Sequence, residues 1–484
     1  MPLALESPYL SFMERRSFVQ KAGLLTAALF SRKMLSFAAE PDFPVVRRVP
    51  ALRRFNSKVV ENVINEFTSK VKNKEFAWLF NNCFPNTLDT SVTFTDFEGR
   101  PDTFISSGDA DAMWLRDSSA QVWSYLPFLR KDKVLKDLVA GVINRQTKYI
   151  LKDPYASSFF NDPTKTSEFK EDLTNMLPGV HERKWEIDSL CYPIRLAYRY
   201  WQQTKDTSHF DANWQEAMKT VLKTFKEQQR KDNDGPYHFQ RATAWATDSL
   251  AMQGFGYPVK PVGLICSAFR PGEDATIFSF LIPSNFFAVV SLRQAAELFR
   301  VIKADAKVAD EMEALAMEVR QALQKYAIVE HETHGKIFAY EINGLGSYSL
   351  MDDASIPGLL ALPYLGAVSM GDPVYLNTRK MVLSADNPFF YKGKVAEGIG
   401  GPHIGKNMVW PMSIIARGLT STDEGEIKQC LAMLQKSHGD TGFMHESFHI
   451  DNPKQYTRAS FPWVNSLFAE FLWKTYQERP NLLI

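Results

Sequence analysis

Apolar residues recur along this chain with a period of three to four. Val59, Val63, Phe67 and Val71 stand four apart with Val60 and Ile64 on the same side, and Val308, Met312, Leu315, Val319 and Leu323 make a second stripe. A helix turns every ~3.6 residues, so each run buries one face and shows the other to water. The same reading predicts helices near 120–150, 189–204, 211–230, 285–303, 410–420, 424–437 and 463–478, parted by loops rich in Gly, Pro, Asp and Asn. Strand-like alternation is confined to short stretches around 90–97 and 336–343. The chain is therefore expected to be all-α. No fixed short repeat points to an open solenoid. Polar and aromatic clusters fall in the loops between helical pairs, and a closed toroid of α-hairpins would gather those loops around one pocket.

The 484 residues are 45% hydrophobic and 23% charged, enough to bury a large core. Length alone suggests roughly three domains, yet no Gly/Ser-rich or Pro-rich linker cuts the chain, so one large domain is expected. Lys plus Arg number 56 against 55 for Asp plus Glu, which gives no bulk attraction for nucleic acid. The 10 Trp often neighbour acids or Arg, as in AMWLRD, RKWEID and NMVWPM. Most such residues serve a core, but a sugar site also needs flat apolar faces beside hydrogen-bonding charges. Cys83, Cys191, Cys266 and Cys430 are far apart and read as small buried hydrophobes.

Residues 14–30, ERRSFVQKAGLLTAALF, set Arg15 and Arg16 before a short apolar run, and SFAAE follows at 36–40. The run from Ala22 to Phe30 is too short to span a bilayer and suits a cleaved signal. Its RRSFVQK core resembles a twin-arginine export signal. Residues 1–38 are therefore expected to direct export to a bacterial periplasm, with Met13 as an alternative start and 39–484 as the catalytic domain. A basic amphipathic surface helix is the other reading of the same residues.

Several stretches carry candidate chemistry. SGDADAMWLRDS at 107–118 sets Asp109, Asp111 and Asp117 around Trp114 and Arg116. A D-x-D pair can hold a divalent cation, with Asp117 as a third oxygen ligand. An EF-hand loop, however, would need a Glu where Ala120 stands. Ion pairing with Arg116, or capping of the next helix by an aspartate, explains the same residues without a metal. His445, Glu446 and His449 satisfy H-E-x-x-H, with Glu470 at a suitable remove for a third zinc ligand. A zinc protease needs those two His one turn apart on a stable helix, and Gly439, Gly442 and Pro453 flank the stretch. His331 and His334 in HETH have the wrong spacing and are expected at the surface. GIGGPHIG at 398–405 lacks the Lys-Ser/Thr of a phosphate loop and reads as a tight turn presenting His403. No G-x-S-x-G elbow is present.

Acids remain. FRPGEDATIF (269–278) and GFMHESF (442–448) each set a carboxylate beside an aromatic or an Arg. Glycosidic hydrolysis uses two such groups, one to protonate the leaving oxygen and one to activate water or attack the sugar. With 55 acids in the chain, composition alone does not single out this pair.

Taken together, SGDADAMWLRDS, KWEIDSLCYPIRLAY (184–198), FRPGEDATIFSFLIPSN (269–285), EGIGGPHIGKNMVWPMSIIARGLTS (397–421) and HGDTGFMHESF (438–448) resemble glycoside hydrolase family 125, the exo-acting α-1,6-mannosidases. The resemblance runs in order over residues 50–480. It implies an (α/α)6 barrel, removal of non-reducing terminal α-1,6-linked mannose with inversion, and no metal or other cofactor. The implied partner is a mannose-containing oligosaccharide such as an N-glycan or mannan fragment. By motif, Asp274 is the implied general acid and Glu446 the implied general base. Inversion leaves room for a water, which sets the two carboxyls about 6.5–9.5 Å apart. Asp109, Trp114, Arg116 and Asp117 are implied to hold the sugar, together with Asp188, Arg270, His403 and His445 from the other motifs. Two departures stand out. Gly272-Glu273-Asp274 replaces the family's Ser-Asp-Asp, which leaves Glu273 as an alternative acid, and His449 has no usual counterpart. A different α/α-barrel glycosidase, for example one specific for α-glucosides, and a non-catalytic glycan-binding protein are the alternatives.

Overall fold

The computed structural model describes residues 43–108 and 110–484; Asp109, the expected export signal at 1–38 and the domain start at 39 lie outside them. Among the described residues, twelve α-helices of seven or more residues sort into two rings. The outer ring holds α1 (Lys58–Lys70), α2 (Lys74–Cys83), α4 (Lys133–Lys152), α6 (Ala212–Glu227), α8 (Ala306–Tyr326), α9 (Pro373–Val382) and α11 (Glu424–Gln435). The inner ring holds α3 (Leu115–Gln121), α5 (Ile187–Thr204), α7 (Ile282–Val301), α10 (Pro411–Leu419) and α12 (Pro462–Glu478).

Burial separates the rings. Every residue of α3 is buried, and α10 leaves only Arg417 partly open. In α1 and α8 the buried residues are the predicted stripes, such as Val60, Val63, Ile64 and Phe67. Helix α5 packs on α3 and α7, and α12 packs on α3 and α10. The sixth inner stave is the irregular segment 351–367. It is tied to α5 by Tyr192 donating to the Ile356 carbonyl at 2.8 Å, to α9 by Tyr375 donating to the Leu360 carbonyl at 2.9 Å, and to α12 by Tyr364 donating to Glu470 at 2.8 Å. Asp352 fixes its turn by accepting the Leu359 and Leu360 N–H groups at 2.8 and 2.9 Å. The result is the expected closed α/α toroid, with one core running between the rings.

The elements match the apolar pattern closely where that pattern is regular. The predicted span 120–150 breaks into α3, a 3-10 stretch Trp123–Lys131 containing Pro127, and α4; Pro has no N–H for the α-helical ladder. Helices α2 and α9 were not expected. In α2 the apolar face is carried by aromatic residues, with Phe80 stacked on Phe67 at 4.0 Å, and in α9 the buried stripe is interrupted by Thr378. The 92–97 strand pairs with Arg100–Ile105, and that hairpin covers α4, where Thr103 Oγ1 donates to the Leu138 carbonyl at 2.8 Å. Gly141 permits this approach, since a Cβ there would lie 2.9 Å from the Thr103 nitrogen. The four cysteines are free and buried, as expected.

Candidate active site

All seven outer helices start at Ser57, Asn73, Asp132, Asp211, Asp305, Asp372 or Asp423, whose side chain accepts a backbone N–H of the first turn. The five inner helices start at Trp114, Glu186, Leu281, Trp410 and Phe461, and none has a side-chain cap. Three small sheets deliver the chain to these uncapped ends. Met113–Trp114, Phe280–Leu281 and Met408–Val409 each pair within a three-stranded sheet just before α3, α7 and α10. The loops carrying the sequence motifs therefore meet at the N-terminal ends of the inner ring, where free N–H groups and helix dipoles favour negative charge.

One cluster lies at the starts of α3 and α5. Arg116 Nη1 donates to Glu186 at 2.6 Å and to Asp188 at 3.2 Å, its Nε lies 3.4 Å from Asp117, and its guanidinium sits over Trp463 at 5.6 Å. Asp117 also accepts from Ser107. Three buried carboxylates share one cation. Burial pushes Glu186 well up, the Arg116 charge pulls it down, and the Asp188 and Glu273 charges push it up again, with a net rise. Asp188 is likewise raised, first by burial. Arg116 Nε, Asp117 Oδ1, Glu186 Oε1 and Asp188 Oδ1 are buried without a protein hydrogen bond. Such polar atoms in a buried cluster are the donors and acceptors a hydroxyl-rich ligand would use.

The second cluster surrounds Asp274, in the turn before α7. His403 Nδ1 donates to Asp274 Oδ2 at 2.7 Å, and the Asp274 side chain is only 3% exposed. Burial lowers the His403 pKa, but the hydrogen bond and charge of Asp274, then the charges of Asp353 and Glu446, outweigh it and lift the ring to about 9. At neutral pH the His403 ring is therefore protonated. Asp353 is buried with Oδ2 unpartnered, raised by burial and by the Asp274 charge. Gly272 and Gly401 bring this loop close: a Cβ on either would lie within 3.7 Å of Asp353 Oδ2, and one on Gly272 would lie 3.4 Å from the His403 ring. Trp114 Nε1 donates to Glu273 Oε1 at 2.6 Å, which joins the two clusters.

Glu446 stands on the loop before α12. Thr457 Oγ1 donates to it at 2.9 Å, Arg458 Nε lies 3.6 Å away, and its side chain is 17% exposed. Its charge reaches His403, so acid and base candidates bear on the same imidazole.

Some expectations need correction. Arg270 is buried, with Nε donating to Glu341 at 2.6 Å, while its backbone N–H donates to the Asp274 carbonyl at 2.8 Å. His445 is fully buried, stacked on Tyr456 at 4.0 Å and bonded through Nδ1 to the Arg458 carbonyl at 2.8 Å; burial lowers it to about 4. Both side chains thus hold protein partners behind the loops that carry Asp274 and Glu446, and each keeps one buried nitrogen, Arg270 Nη2 and His445 Nε2, without a protein hydrogen bond. Asp111 is exposed and paired with Lys165 at 2.7 Å, and no aspartate caps α3, so both the D-x-D and the capping accounts lose support. H-E-x-x-H does not fall on a helix: Phe448–His449 is a strand, His449 Nδ1 accepts the Asp451 N–H at 3.1 Å, and Glu470 is bonded to Tyr364 and Trp123. His331 and His334 lie on the hairpin Ile328–Phe338, where His334 pairs with Asp386 at 2.8 Å. The sequence reading missed Asp353 and Glu186. Glu186 lay inside a quoted motif two residues before Asp188, but nothing in the local pattern marked Asp353.

Comparison with known proteins identifies the family and the fold. The sequence profile of metal-independent alpha-mannosidase, glycoside hydrolase family 125, matches residues 73–473. The chain is 38% identical over 460 residues to the meiotically up-regulated gene 157 protein of Schizosaccharomyces pombe, covering 91% of this chain and 90% of that one. It is 39% identical, at a TM-score of 0.85, to a metal-independent α-mannosidase of Streptococcus pneumoniae solved in a non-productive complex with α-1,6-mannobiose; the match covers 88% of this chain and 100% of that one. A bacterial glucoamylase bound to acarbose shares the fold alone, at 14% identity and a TM-score of 0.54 over 86% of this chain and 59% of its own.

Proposed function

Because the chain belongs to the metal-independent α-mannosidases of glycoside hydrolase family 125, we propose that it removes terminal α-1,6-linked mannose from mannan or N-glycan fragments with inversion, Asp274 acting as general acid and Glu446 as general base. The observation that carries this reading is the contrast between two carboxylates, Asp274, buried and hydrogen-bonded to His403, and Glu446, partly exposed beside Thr457 and Arg458. The α-1,6-mannobiose complex of the Streptococcus pneumoniae relative supports the linkage.

The roles follow from the surroundings. Asp274 Oδ2 takes the His403 N–H, which leaves Oδ1 to approach the glycosidic oxygen. Asp274 carries a proton on Oδ1 into the acid step and gives it to that oxygen as the bond breaks, and the imidazolium at Oδ2 stabilises the carboxylate left behind and supplies the next proton. Glu446, held by Thr457 and near Arg458, takes a proton from the water that attacks the anomeric carbon from the opposite face. The Arg116 cluster holds the sugar hydroxyls with charged, fixed partners, which orients the ring at little further entropic cost. Glu273 is the weaker candidate acid, since its carboxylate already holds the Trp114 indole N–H.

The test is hydrolysis of α-1,6-mannobiose followed by proton NMR, with and without EDTA. Release of β-mannose at a rate that EDTA leaves unchanged is expected. α-Mannose as the first product would overturn inversion, and loss of activity on chelation would overturn the metal-free mechanism.

A further inference from the structure

The turn that carries Asp274 is braced by the loop 241–249. Ala275 N–H donates to the Thr247 carbonyl at 2.7 Å. Asp248 accepts from Lys184 Nζ at 2.6 Å and lies 3.3 Å from Arg241, and the same Lys184 reaches the Glu273 carbonyl at 3.3 Å. Trp245 opens this loop's 3-10 turn: its N–H donates to Thr243 Oγ1 at 3.1 Å and its carbonyl accepts the Asp248 N–H at 3.0 Å. The backbone is thus pinned on both sides of the indole. The indole itself is 54% exposed, and Ile277, two residues past Ala275, is 51% exposed. Trp is on average among the more buried residues, so a half-open indole on a braced loop beside a catalytic turn calls for an occupant.

A general acid must touch the glycosidic oxygen, so the leaving sugar begins at Asp274 and continues over the surface that adjoins its turn. Trp245 is two residues from Thr247, within about 7 Å along the chain, which is close to the length of one sugar ring. The C–H face of a pyranose is apolar and its rim is polar. Trp245 and Ile277 offer the flat apolar part, and Asp248 the charged edge. Building on the mannosidase reading, we propose that Trp245, with Ile277, forms a stacking platform for mannose units of the leaving group beyond the one next to the cleaved bond. The enzyme then prefers longer α-1,6-linked mannan chains to mannobiose.

The measurement is the ratio of kcat/KM for α-1,6-mannotriose to that for α-1,6-mannobiose. Trp245→Ala is expected to lower this ratio about tenfold, mainly through KM for the triose, and Trp245→Phe to restore most of it, because a ring recovers the stacking face. In an Asp274→Asn background, calorimetry should show mannotriose binding weakened by about the same factor when Trp245 is truncated. An unchanged ratio, or equal loss on both substrates, overturns the platform. Wild-type protein that cleaves neither sugar overturns the mannosidase reading itself, a distinguishable result.

Discussion

The outer and inner rings begin their helices in opposite ways. Each outer helix closes its own N-terminus with a Ser, Asn or Asp oxygen, as Asp132 does for α4 by accepting the Leu135 N–H at 3.0 Å. Each inner helix starts from an apolar residue or, in α5, from Glu186, whose oxygen goes to Arg116 and Ser189. A cap satisfies N–H groups locally and isolates the helix end. Leaving it out keeps a positive end available, and five such ends meet where Asp117, Glu186, Asp188, Asp274 and Asp353 are buried. The outer ring is built for stability, while the inner ring yields some local satisfaction to make a site.

Five substitutions sharpen or break that contrast. At the inner ends, Glu446→Gln and Asp274→Asn should each lower kcat/KM about 10²–10⁴-fold, and Asp274→Asn should also lower the melting temperature, since it removes the charge that holds His403 protonated. The Asp274 loss should shrink on substrates with good leaving groups, and equal loss on all leaving groups would remove Asp274 from the acid role. Arg116→Ala leaves three buried carboxylates without their cation and should cost roughly 3–5 kcal/mol in denaturant unfolding at pH 7. The cost should fall at pH 5, because burial already pushes Glu186 and Asp188 upward and protonation then removes the repulsion; a pH-independent cost would show that packing alone was lost.

His403→Gln should reduce kcat/KM about tenfold to a hundredfold and alter the alkaline side of the pH profile. The wild-type ring is held at about 9 against an ordinary 6.5. Its contribution to stability is complete below about 6.5 and is lost as pH rises through about 9, and the activity carried by its proton should decline over the upper part of that window. An alkaline limb that survives in the variant belongs to another group. Last, Asp132→Ala in the outer ring should cost only about 1–2 kcal/mol, by removing the cap and the acceptor of the Ser57 hydroxyl at 2.6 Å, with kcat unchanged. A clear fall in kcat there would erase the division between the rings.

Helices of both rings were legible, and the two that were missed, α2 and α9, stand in the outer one. The stripes of α1 and α8 appear in the sequence because one face is wet, and periodicity records that difference. Among the inner helices, the predicted spans 189–204, 285–303, 410–420 and 463–478 fall within three residues of α5, α7, α10 and α12, while α3, buried on every side, merged with α4 into one predicted span. Within the site, the motif resemblance brought Asp274, Glu446 and the Arg116 group together from distant stretches. It could not show that Arg270 and His445 also hold protein partners, Glu341 and the Arg458 carbonyl, because an Arg or a His in a motif reads the same whatever it bonds.

By itself the sequence determined the helical alternation, the near-neutral charge and the motifs that carry the acids, all of which are local in the chain or additive over it. Only the tertiary structure decided that 351–367 serves as the sixth stave and brings Asp353 to Asp274, that Asp274 is hydrogen-bonded to His403, and that Glu446 keeps part of its surface exposed. Those properties depend on burial and on distances between residues in separate elements of the chain, and neither quantity exists until the ring closes.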